Sequence, residues 1–286
     1  MKSYFRALTI AGSDSGGGAG IQADLKTFSA LGCFGMSVIT ALTAQNTHSV
    51  SGIFPVPPEF IGLQMDAVLS DIGANAVKIG MLHSPEVIAI VSEKLSQWDC
   101  SNIVLDPVMV SKSGDKLLRA DAVAALKTIL IPKSLIITPN LLEASILLDR
   151  KVETPEDMAR AAVNLTDLGC ANVLLKGGHL TGQDSTDLLY QRDTDTLTEL
   201  PGIRIHTLNS HGTGCSLSSA ICAHLARGLD LEAAVRGAKI WLTGALKAGA
   251  TFTTGRGHGP VHHFYEMWEK DWFLNLENSP FKGRFS

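Results

Sequence analysis

The chain has 286 residues, of which 45% are hydrophobic and 18% charged, and its 24 basic and 28 acidic side chains give a formal net charge of -4. A chain of this length and composition can bury a core that needs no disulfide or metal for stability, which excludes disordered, collagen-like and coiled-coil proteins. Because no run rich in lysine and arginine is present, a nucleic-acid-binding protein is not expected.

Short apolar runs alternate along the chain with segments in which apolar residues recur at helical spacing. The pattern predicts strands at residues 6–11, 36–42, 76–79, 102–105, 135–137 and 173–176. It predicts helices at residues 20–31, 60–72, 85–97, 155–168, 214–227 and 231–249. Residues 187–205 have the pattern of a short antiparallel insertion. Alternating strands and helices indicate an α/β fold with a largely parallel sheet, and since no linker or repeat interrupts the pattern we expect one domain over residues 1–286.

The sequence does not predict membrane insertion or secretion. A membrane-spanning helix needs about 20 consecutive apolar residues, whereas the apolar stretches here are short and broken by charges. The charged N-terminus reaches Gly12 and Asp14 too soon to contain the apolar core of a signal peptide, so we expect a cytoplasmic protein. The 5 cysteines include no Cys-x-x-Cys pair, which argues against a disulfide framework and a zinc site.

Glycine or polar residues follow the predicted strands. In an open parallel sheet, ligands bind beyond the carboxyl ends of the strands. Solubility alone would explain one such ending, but their repetition along one edge predicts a ligand site. The residues that follow the strands are 12–14, 45–46, 80–81, Asp106, Asn140, 176–179 and the loop before Gly212.

The first of these segments, residues 12–20, contains 5 glycines and leads into a predicted helix. It lacks the Gly-Lys-Ser/Thr ending of a Walker A loop and the Gly-x-Gly-x-x-Gly spacing of a dinucleotide-binding loop. Two interpretations remain open, namely a tight strand-to-helix turn and a backbone that closely approaches a ligand.

Residues 209–216 contain small side chains at the start of an apolar helix. Exposed amides and the helix dipole would form an anion hole for a phosphoryl group at this point. Cys215 lies in the same turn, where the pKa of a thiol can fall below about 8.5 and the thiolate can accept a proton from a substrate hydroxyl. The alternative is that Cys215 only packs the start of the helix.

Asp106, Asn140 and Glu143 are a possible magnesium site, because this ion keeps several waters and uses few carboxylates. Glu143 is equally well explained as a capping partner at the start of a helix. Lys176 follows a buried strand, where its charge favours a phosphate partner, unless the side chain extends along the surface into water. His179 and the histidines of residues 255–263 are weak candidates, and no metal-ligand spacing supports zinc there.

Several segments together carry a more specific signal. They are LTIAGSD (8–14), GGGAGIQADLKT (16–27), VITALTAQNT (38–47), KIGML (78–82), LDPVM (105–109), TPNLxEA (138–144), KGGH (176–179), HGTGC (211–215) and GPVHHF (259–264). In this order, over about residues 7–265, the set resembles the bacterial hydroxymethylpyrimidine/phosphomethylpyrimidine kinases.

The resemblance implies a ribokinase-like three-layer α/β/α sandwich around a mostly parallel sheet, and a homodimer. It implies transfer of the γ-phosphoryl group of ATP, with Mg²⁺, to the hydroxymethyl group of 4-amino-5-hydroxymethyl-2-methylpyrimidine. The monophosphate would then receive a second phosphoryl group, giving the diphosphate for thiamine biosynthesis. The expected partners are therefore the pyrimidine substrate and ATP.

The resemblance also assigns roles to individual residues. Gln45 would hydrogen-bond the pyrimidine in a pocket lined by Gly12, Asp24 and Met81, and Cys215 would be the base or proton relay. The amides of Gly212, Thr213 and Gly214 would form the anion hole, and Lys176 would contact an ATP phosphate. Magnesium would be held partly through water by Asp106, Asn140 and Glu143. The nucleotide would also be contacted by Asn140, Thr213 and Lys239.

The chain departs from the family pattern in two places. Residues 15–18 read Ser-Gly-Gly-Gly where Pro-Ser-Gly-Gly is usual, and the tail after Phe264 extends past the match. Two alternative functions remain, a pyridoxal kinase of the same superfamily and a non-catalytic pyrimidine-binding protein. The presence of the whole set, Asp106, Asn140, Lys176 and Cys215, argues against a pure binding protein.

Overall fold

The computed structural model describes residues 2–109, 118–178 and 184–268. The strands are β1 (Arg6–Ala11), β2 (Phe34–Ile39), β3 (Ala41–Gln45), β4 (Val50–Pro55), β5 (Ala76–Ile79), β6 (Ile103–Leu105), β7 (Ile136–Ile137), β8 (Asn172–Leu175), β9 (Asp187–Gln191) and β10 (Thr196–Leu200). The helices are α1 (Gly20–Ala30), α2 (Pro58–Asp71), α3 (Pro85–Gln97), α4 (Ala120–Ala125), α5 (Leu141–Leu148), α6 (Pro155–Leu165), α7 (Thr213–Ala226) and α8 (Leu231–Gly249).

The main sheet has eight strands in the order β10-β9-β8-β7-β6-β5-β1-β2. The strands from β2 across to β8 pair in parallel, whereas β9 and β10 add an antiparallel edge. The prediction of a largely parallel sheet with an antiparallel insertion is therefore confirmed. Its central strands are mostly apolar because helices cover both of their faces, and Lys78 in β5 is a buried charged exception.

Two apolar clusters lie on opposite faces of the sheet and make the fold three-layered. Neighbouring residues of β6 divide between them, since Leu105 belongs to one cluster and Val104 to the other. The first cluster includes side chains of α2, α3 and α6, and the second those of α1, α7 and α8. Among the described residues, no helix is both long and apolar enough to cross a bilayer.

The predicted strand at 36–42 is wrong, because the chain bends at Thr40. The Thr40 amide donates to Ala11 O at 3.0 Å, and its hydroxyl donates to Met81 O at 2.8 Å. These bonds end β2 and start β3, which pairs with β4 in a separate two-stranded sheet. The sequence analysis also did not predict α4.

Candidate active site

The carboxyl ends of the parallel strands open into a cavity of about 1130 Å³. Ligand sites occupy this position in open parallel sheets. Most of the residues selected from the sequence line the cavity: Gly12, Gln45, Met81, Asp106, Asn140, Glu143, Lys176, Gly212, Thr213, Gly214, Cys215 and Lys239. The fold therefore brings these residues together, whereas their individual roles stay predictions.

Asp24 is the exception, because it lies in the protein interior and not in the cavity wall. Its carboxylate accepts hydrogen bonds from Thr9 Oγ1 at 2.6 Å, Ser219 Oγ at 2.7 Å and Lys78 Nζ at 2.9 Å. The prediction that Asp24 lines the pyrimidine pocket is wrong, since a carboxylate removed from water must be paired and Asp24 is saturated by these buried donors. Lys78, which the sequence analysis missed, borders the cavity, but its side chain is as fully buried as that of Asp24.

Lys176 follows β8 and is held by two carboxylates. Its Nζ lies 3.0 Å from Asp106 Oδ1 and 3.9 Å from Glu143 Oε2. Burial disfavours the ammonium, but the two carboxylates together raise the pKa of Lys176 above its usual value. The alternative of a solvated surface lysine is wrong, because only 15% of this side chain is exposed.

Asn140 and Glu143 cap the start of α5 reciprocally. The Glu143 amide donates to Asn140 Oδ1 at 2.9 Å, and the Asn140 amide donates to Glu143 Oε2 at 2.8 Å. The capping interpretation is thus confirmed. Burial raises the pKa of Glu143 to about 7, with Lys176 opposing this rise and Asp106 adding to it.

The carboxylates of Asp106 and Glu143 fit a magnesium ion that is held mainly through water. Within the described ranges, no three His, Cys, Asp or Glu side chains gather into a metal cluster. Magnesium does not need such a cluster, because it binds one or two carboxylates together with waters and substrate phosphates. Two carboxylates beside one ammonium suit a hydrated ion shared with a phosphate ligand.

Helix α7 begins at Thr213, and no side chain caps this end of the helix. The amides of its first turn therefore have no side-chain acceptor. Gly212 precedes the helix with φ of 73°, and a side chain there would collide with the Gly18 carbonyl oxygen. A Cβ at Gly214 would lie 3.5 Å from Lys176 Nζ. The helix terminus and the ammonium therefore border the same space, which suits a phosphoryl group.

Cys215 lies in this first turn, but its thiol is not acidified in the ligand-free protein. Burial raises the pKa of Cys215 to about 11, an effect that Lys78 and the Gly20 amide oppose and that Asp24 and Asp106 strengthen. The expectation of a lowered pKa is wrong here, because lost hydration outweighs the helix terminus. The ammonium and the amide are nevertheless groups that stabilise a thiolate.

The glycine-rich loop is organised by Asp14, which the sequence analysis did not select. Its Oδ1 accepts from the Gly16 amide at 2.8 Å, and its Oδ2 accepts from the amides of Gly18 at 3.0 Å and Ala19 at 2.8 Å. His211 Nε2 lies 2.8 Å from the same Oδ2. Burial opposes ionisation, but these hydrogen bonds hold the pKa of Asp14 below its usual value. Asp14 therefore connects the loop before α1 with the loop before α7.

Lys239 lines the cavity, but its ammonium is bound to the protein. It donates to Asp187 Oδ2 at 2.6 Å and to Ser185 O at 2.8 Å. Asp187 Oδ1 in turn accepts from the Gly177 amide at 2.8 Å. Lys239 thus supports the backbone beside Lys176. His179 and the chain beyond residue 268 lie outside the described residues.

Comparisons with known proteins agree with this arrangement. The hydroxymethylpyrimidine/phosphomethylpyrimidine kinase of Rhizobium meliloti is 54% identical over 264 residues, which cover 92% of this chain and 98% of that protein. The enzyme of the same name from Escherichia coli is 48% identical, with the same two coverages, 92% and 98%.

Solved structures of two kinases have the same fold. An ADP complex of Bacillus subtilis pyridoxal kinase has a TM-score of 0.86 at 36% identity, over 93% of this chain and 100% of that one. Phosphomethylpyrimidine kinase from Clostridium difficile has a TM-score of 0.74 at 45% identity, over 83% and 97%. The expected ribokinase-like α/β fold is confirmed. Since residues 14–262 also match the family profile described as phosphomethylpyrimidine kinase, this chain belongs to the phosphomethylpyrimidine kinase family.

Proposed function

We propose that this protein transfers the γ-phosphoryl group of ATP to the hydroxymethyl group of 4-amino-5-hydroxymethyl-2-methylpyrimidine and then to the resulting monophosphate, for thiamine biosynthesis. The observation that carries the proposal is the 54% identity, over nearly the whole chain, to a kinase named for both phosphorylations. The cavity supports it with an uncapped helix start, an ammonium and two carboxylates in one place.

The cavity wall offers separate surfaces for the two substrates. Gly12, Gln45 and Met81 form the pyrimidine side in this proposal. Large exposed apolar side chains in the wall, namely Leu142, Ile146, Ile203 and Leu208, suit the flat face of a purine. Lys176 and the first turn of α7 then meet the phosphates of ATP.

In the proposed reaction, the thiolate form of Cys215, which the Lys78 ammonium favours, takes the proton of the substrate hydroxyl and becomes a thiol as the oxygen attacks the γ-phosphorus of ATP. The bond from that phosphorus to the β–γ bridging oxygen breaks, and ADP leaves. The amides of Gly212, Thr213 and Gly214 stabilise the negative charge of the phosphoryl group in transit. Such catalysis consists mainly of positioning and charge stabilisation.

Asp106 and Glu143 would hold Mg²⁺ through water, with Asn140 orienting Glu143 through their reciprocal cap. When bound, the ion would neutralise phosphate charge. Lys176 would keep the two carboxylates close together, and would also meet a phosphate oxygen directly.

The proposal includes a cytoplasmic homodimer formed through the two-stranded sheet. Leu42 and Phe54 face each other across β3 and β4 and are both exposed. Phe60 and Leu63 of the adjacent α2 are exposed as well. A second copy of this chain would cover this surface by two-fold symmetry. Light scattering of the wild type and of Phe54→Glu tests this, with dimer and monomer expected, and a monomeric wild type would refute it.

The function is tested with purified protein, MgATP and one acceptor per reaction, either the hydroxymethylpyrimidine, its monophosphate or pyridoxal, with products identified by mass. We expect diphosphate from the monophosphate. Pyridoxal kinase is the second candidate, because solved pyridoxal kinases have the same fold at 36% identity. Product from pyridoxal alone would favour that function, and pyrimidine binding without any product would favour a binding protein.

A further inference from the structure

We propose that Ser15 is a positioning residue that fixes Gln45, and with it the pyrimidine side of the cavity, against the glycine-rich loop. The inference rests on the proposed function, because it concerns how the same cavity holds its acceptor substrate. Ser15 itself does not line the cavity, whereas Gln45 does, so Ser15 acts through Gln45.

The Ser15 hydroxyl forms two hydrogen bonds with the backbone of Gln45. Ser15 Oγ donates to Gln45 O at 2.8 Å and accepts from the Gln45 amide at 2.8 Å. The two bonds are compatible, because a hydroxyl has one hydrogen to donate and two lone pairs that accept. A single side chain thus pairs both backbone groups of the residue that we place against the pyrimidine.

These bonds belong to a row of contacts along one edge of β3. The opposite edge of β3 pairs with β4, and this edge faces the glycine-rich loop. The Ser13 amide donates to Ala41 O at 2.8 Å, and Ser13 Oγ accepts from the Thr43 amide at 3.3 Å. Ser15 makes the next contact of the row, at Gln45. The loop therefore takes the place of a third strand beside β3.

Gln45 depends on the loop because its pairing with β4 is irregular. Ala44 pairs with Gly52, but Gln45 pairs with Val50, so the register shifts between the two neighbouring residues of β3. Such a bulge disrupts the ladder of backbone hydrogen bonds locally. The β4 side therefore holds the end of β3 less firmly than it holds the rest of the strand.

The loop that carries Ser15 is fixed from within. The preceding Asp14 is buried, and its carboxylate accepts hydrogen bonds from three amides of the loop. Lys26 Nζ also donates to Gly17 O at 2.7 Å. Ser15 thus presents its hydroxyl from a well-held segment to a less firmly held strand end, and for this reason it positions Gln45 rather than the reverse.

Ser15 contributes to the placement of Gln45 more than to the stability of the fold. It is exposed, so water can replace its hydroxyl at the Gln45 backbone with little loss of folding free energy. Water does not fix the distance between the loop and the strand, however, and a displacement of about 1 Å is enough to impair a site. Loss of the hydroxyl should therefore weaken pyrimidine binding and leave ATP binding and stability unchanged.

The departure of this chain from the family pattern falls at the same contact. Residues 15 and 16 are serine and glycine, where proline and serine are usual. Proline at residue 15 would have no hydroxyl, but a Cβ at Gly16 would lie 3.4 Å from Gln45 O. A serine at residue 16 can therefore place its hydroxyl beside the same carbonyl oxygen. The two sequences offer Gln45 a hydroxyl from adjacent positions of the loop.

The test is calorimetric binding of 4-amino-5-hydroxymethyl-2-methylpyrimidine and, separately, of ATP to the full-length protein. In Ser15→Ala we expect pyrimidine affinity to fall roughly threefold to tenfold, with ATP affinity and the midpoint of urea unfolding unchanged. Ser15→Thr keeps the hydroxyl and should retain most of the affinity. Ser51→Ala is the matched control, because it removes another exposed hydroxyl that donates to the β3 backbone, at Ala44 O and 2.9 Å.

Two combined variants decide whether Ser15 acts through Gln45. Ser15→Pro should weaken pyrimidine binding as Ser15→Ala does, and the paired change Ser15→Pro/Gly16→Ser should restore it. In a Gln45→Ala background, Ser15→Ala should have no further effect on pyrimidine affinity, because the side chain that it positions is absent.

The inference would be overturned by an unchanged pyrimidine affinity in Ser15→Ala, by an equal loss of ATP affinity, or by a loss that persists in the Gln45→Ala background. A folded Ser15→Pro/Gly16→Ser protein without recovery would overturn it as well. If the variants bind as expected but the wild type phosphorylates no pyrimidine, only the proposed function fails. If the wild type forms the diphosphate but Ser15→Ala binds normally, only the inference fails, and a wild type that does not bind the pyrimidine would overturn both.

Discussion

Lys78 Nζ lies 2.9 Å from Asp24 Oδ2, and neither side chain has any exposed surface. Ser219 donates to the same carboxylate from α7, where it lies one helical turn after Cys215. The buried ion pair is thus on the side of α7 that carries Cys215. Lys78 therefore neutralises Asp24, and in the proposed reaction it would also stabilise a thiolate at Cys215.

We expect Lys78→Met to lower the free energy of unfolding by about 3–5 kcal/mol, because it leaves the Asp24 carboxylate buried and unpaired. The double variant Asp24→Asn/Lys78→Met should lose less than Lys78→Met alone, since no uncompensated charge remains. Urea unfolding of both proteins measures this. Equal losses in the two would show that the unpaired charge is not the cause.

The pH dependence of the rate tests the role of Cys215. With a pKa of about 11 in the ligand-free protein, the thiolate fraction rises about tenfold per pH unit at lower pH. We expect kcat/KM of the wild type to rise by up to about tenfold for each pH unit between about pH 7 and 9. Cys215→Ala should lose activity by orders of magnitude and lose the slope, while it still binds the pyrimidine. Wild-type turnover in Cys215→Ala would remove the thiol from the mechanism.

The spacing of apolar residues was sufficient to predict the sheet and most helices. Buried parallel strands are mainly apolar, and the apolar residues of a helix recur about once per turn. This spacing was also sufficient to place Asp106 and Lys176 at one edge, since both follow such strands. It failed at residues whose partners are distant in sequence, such as Asp24 with Ser219. One available signal was overlooked: Lys78 is a charged residue inside the apolar strand 76–79, and a buried charge requires a partner.

Glu143→Gln separates the capping role of this residue from its proposed metal role. Burial raises the pKa of Glu143 to about 7 in the folded protein, so its ionisation costs stability as pH rises from the usual value of about 4.3 towards 7. Glutamine cannot ionise and still completes the cap. We expect the ligand-free variant to be at least as stable as the wild type at pH 8, but to need a higher Mg²⁺ concentration for turnover. Unfolding curves and Mg²⁺ titrations measure the two effects, and an unchanged Mg²⁺ requirement would contradict the metal role.

Two buried histidines make the fold sensitive to acid. Burial lowers the pKa of His263 to about 3, with Lys26 and His262 adding to the effect. Burial also lowers the pKa of His224, and neither of its ring nitrogens has a hydrogen-bond partner among the described residues. Both histidines are neutral when folded and become protonated when the chain unfolds below about pH 6.5.

The folded state therefore loses stability as the pH falls from about 6.5 towards the lowered values, by up to about 1.4 kcal/mol per pH unit for each histidine. His224→Leu removes one of these groups and the cost of its unpaired nitrogens. We expect its free energy of unfolding to decline less steeply between about pH 6.5 and 5 than that of the wild type. Urea unfolding at several pH values measures the two slopes, with the same substitution at the exposed His48 as the control. Identical slopes would mean that His224 does not contribute to the acid sensitivity.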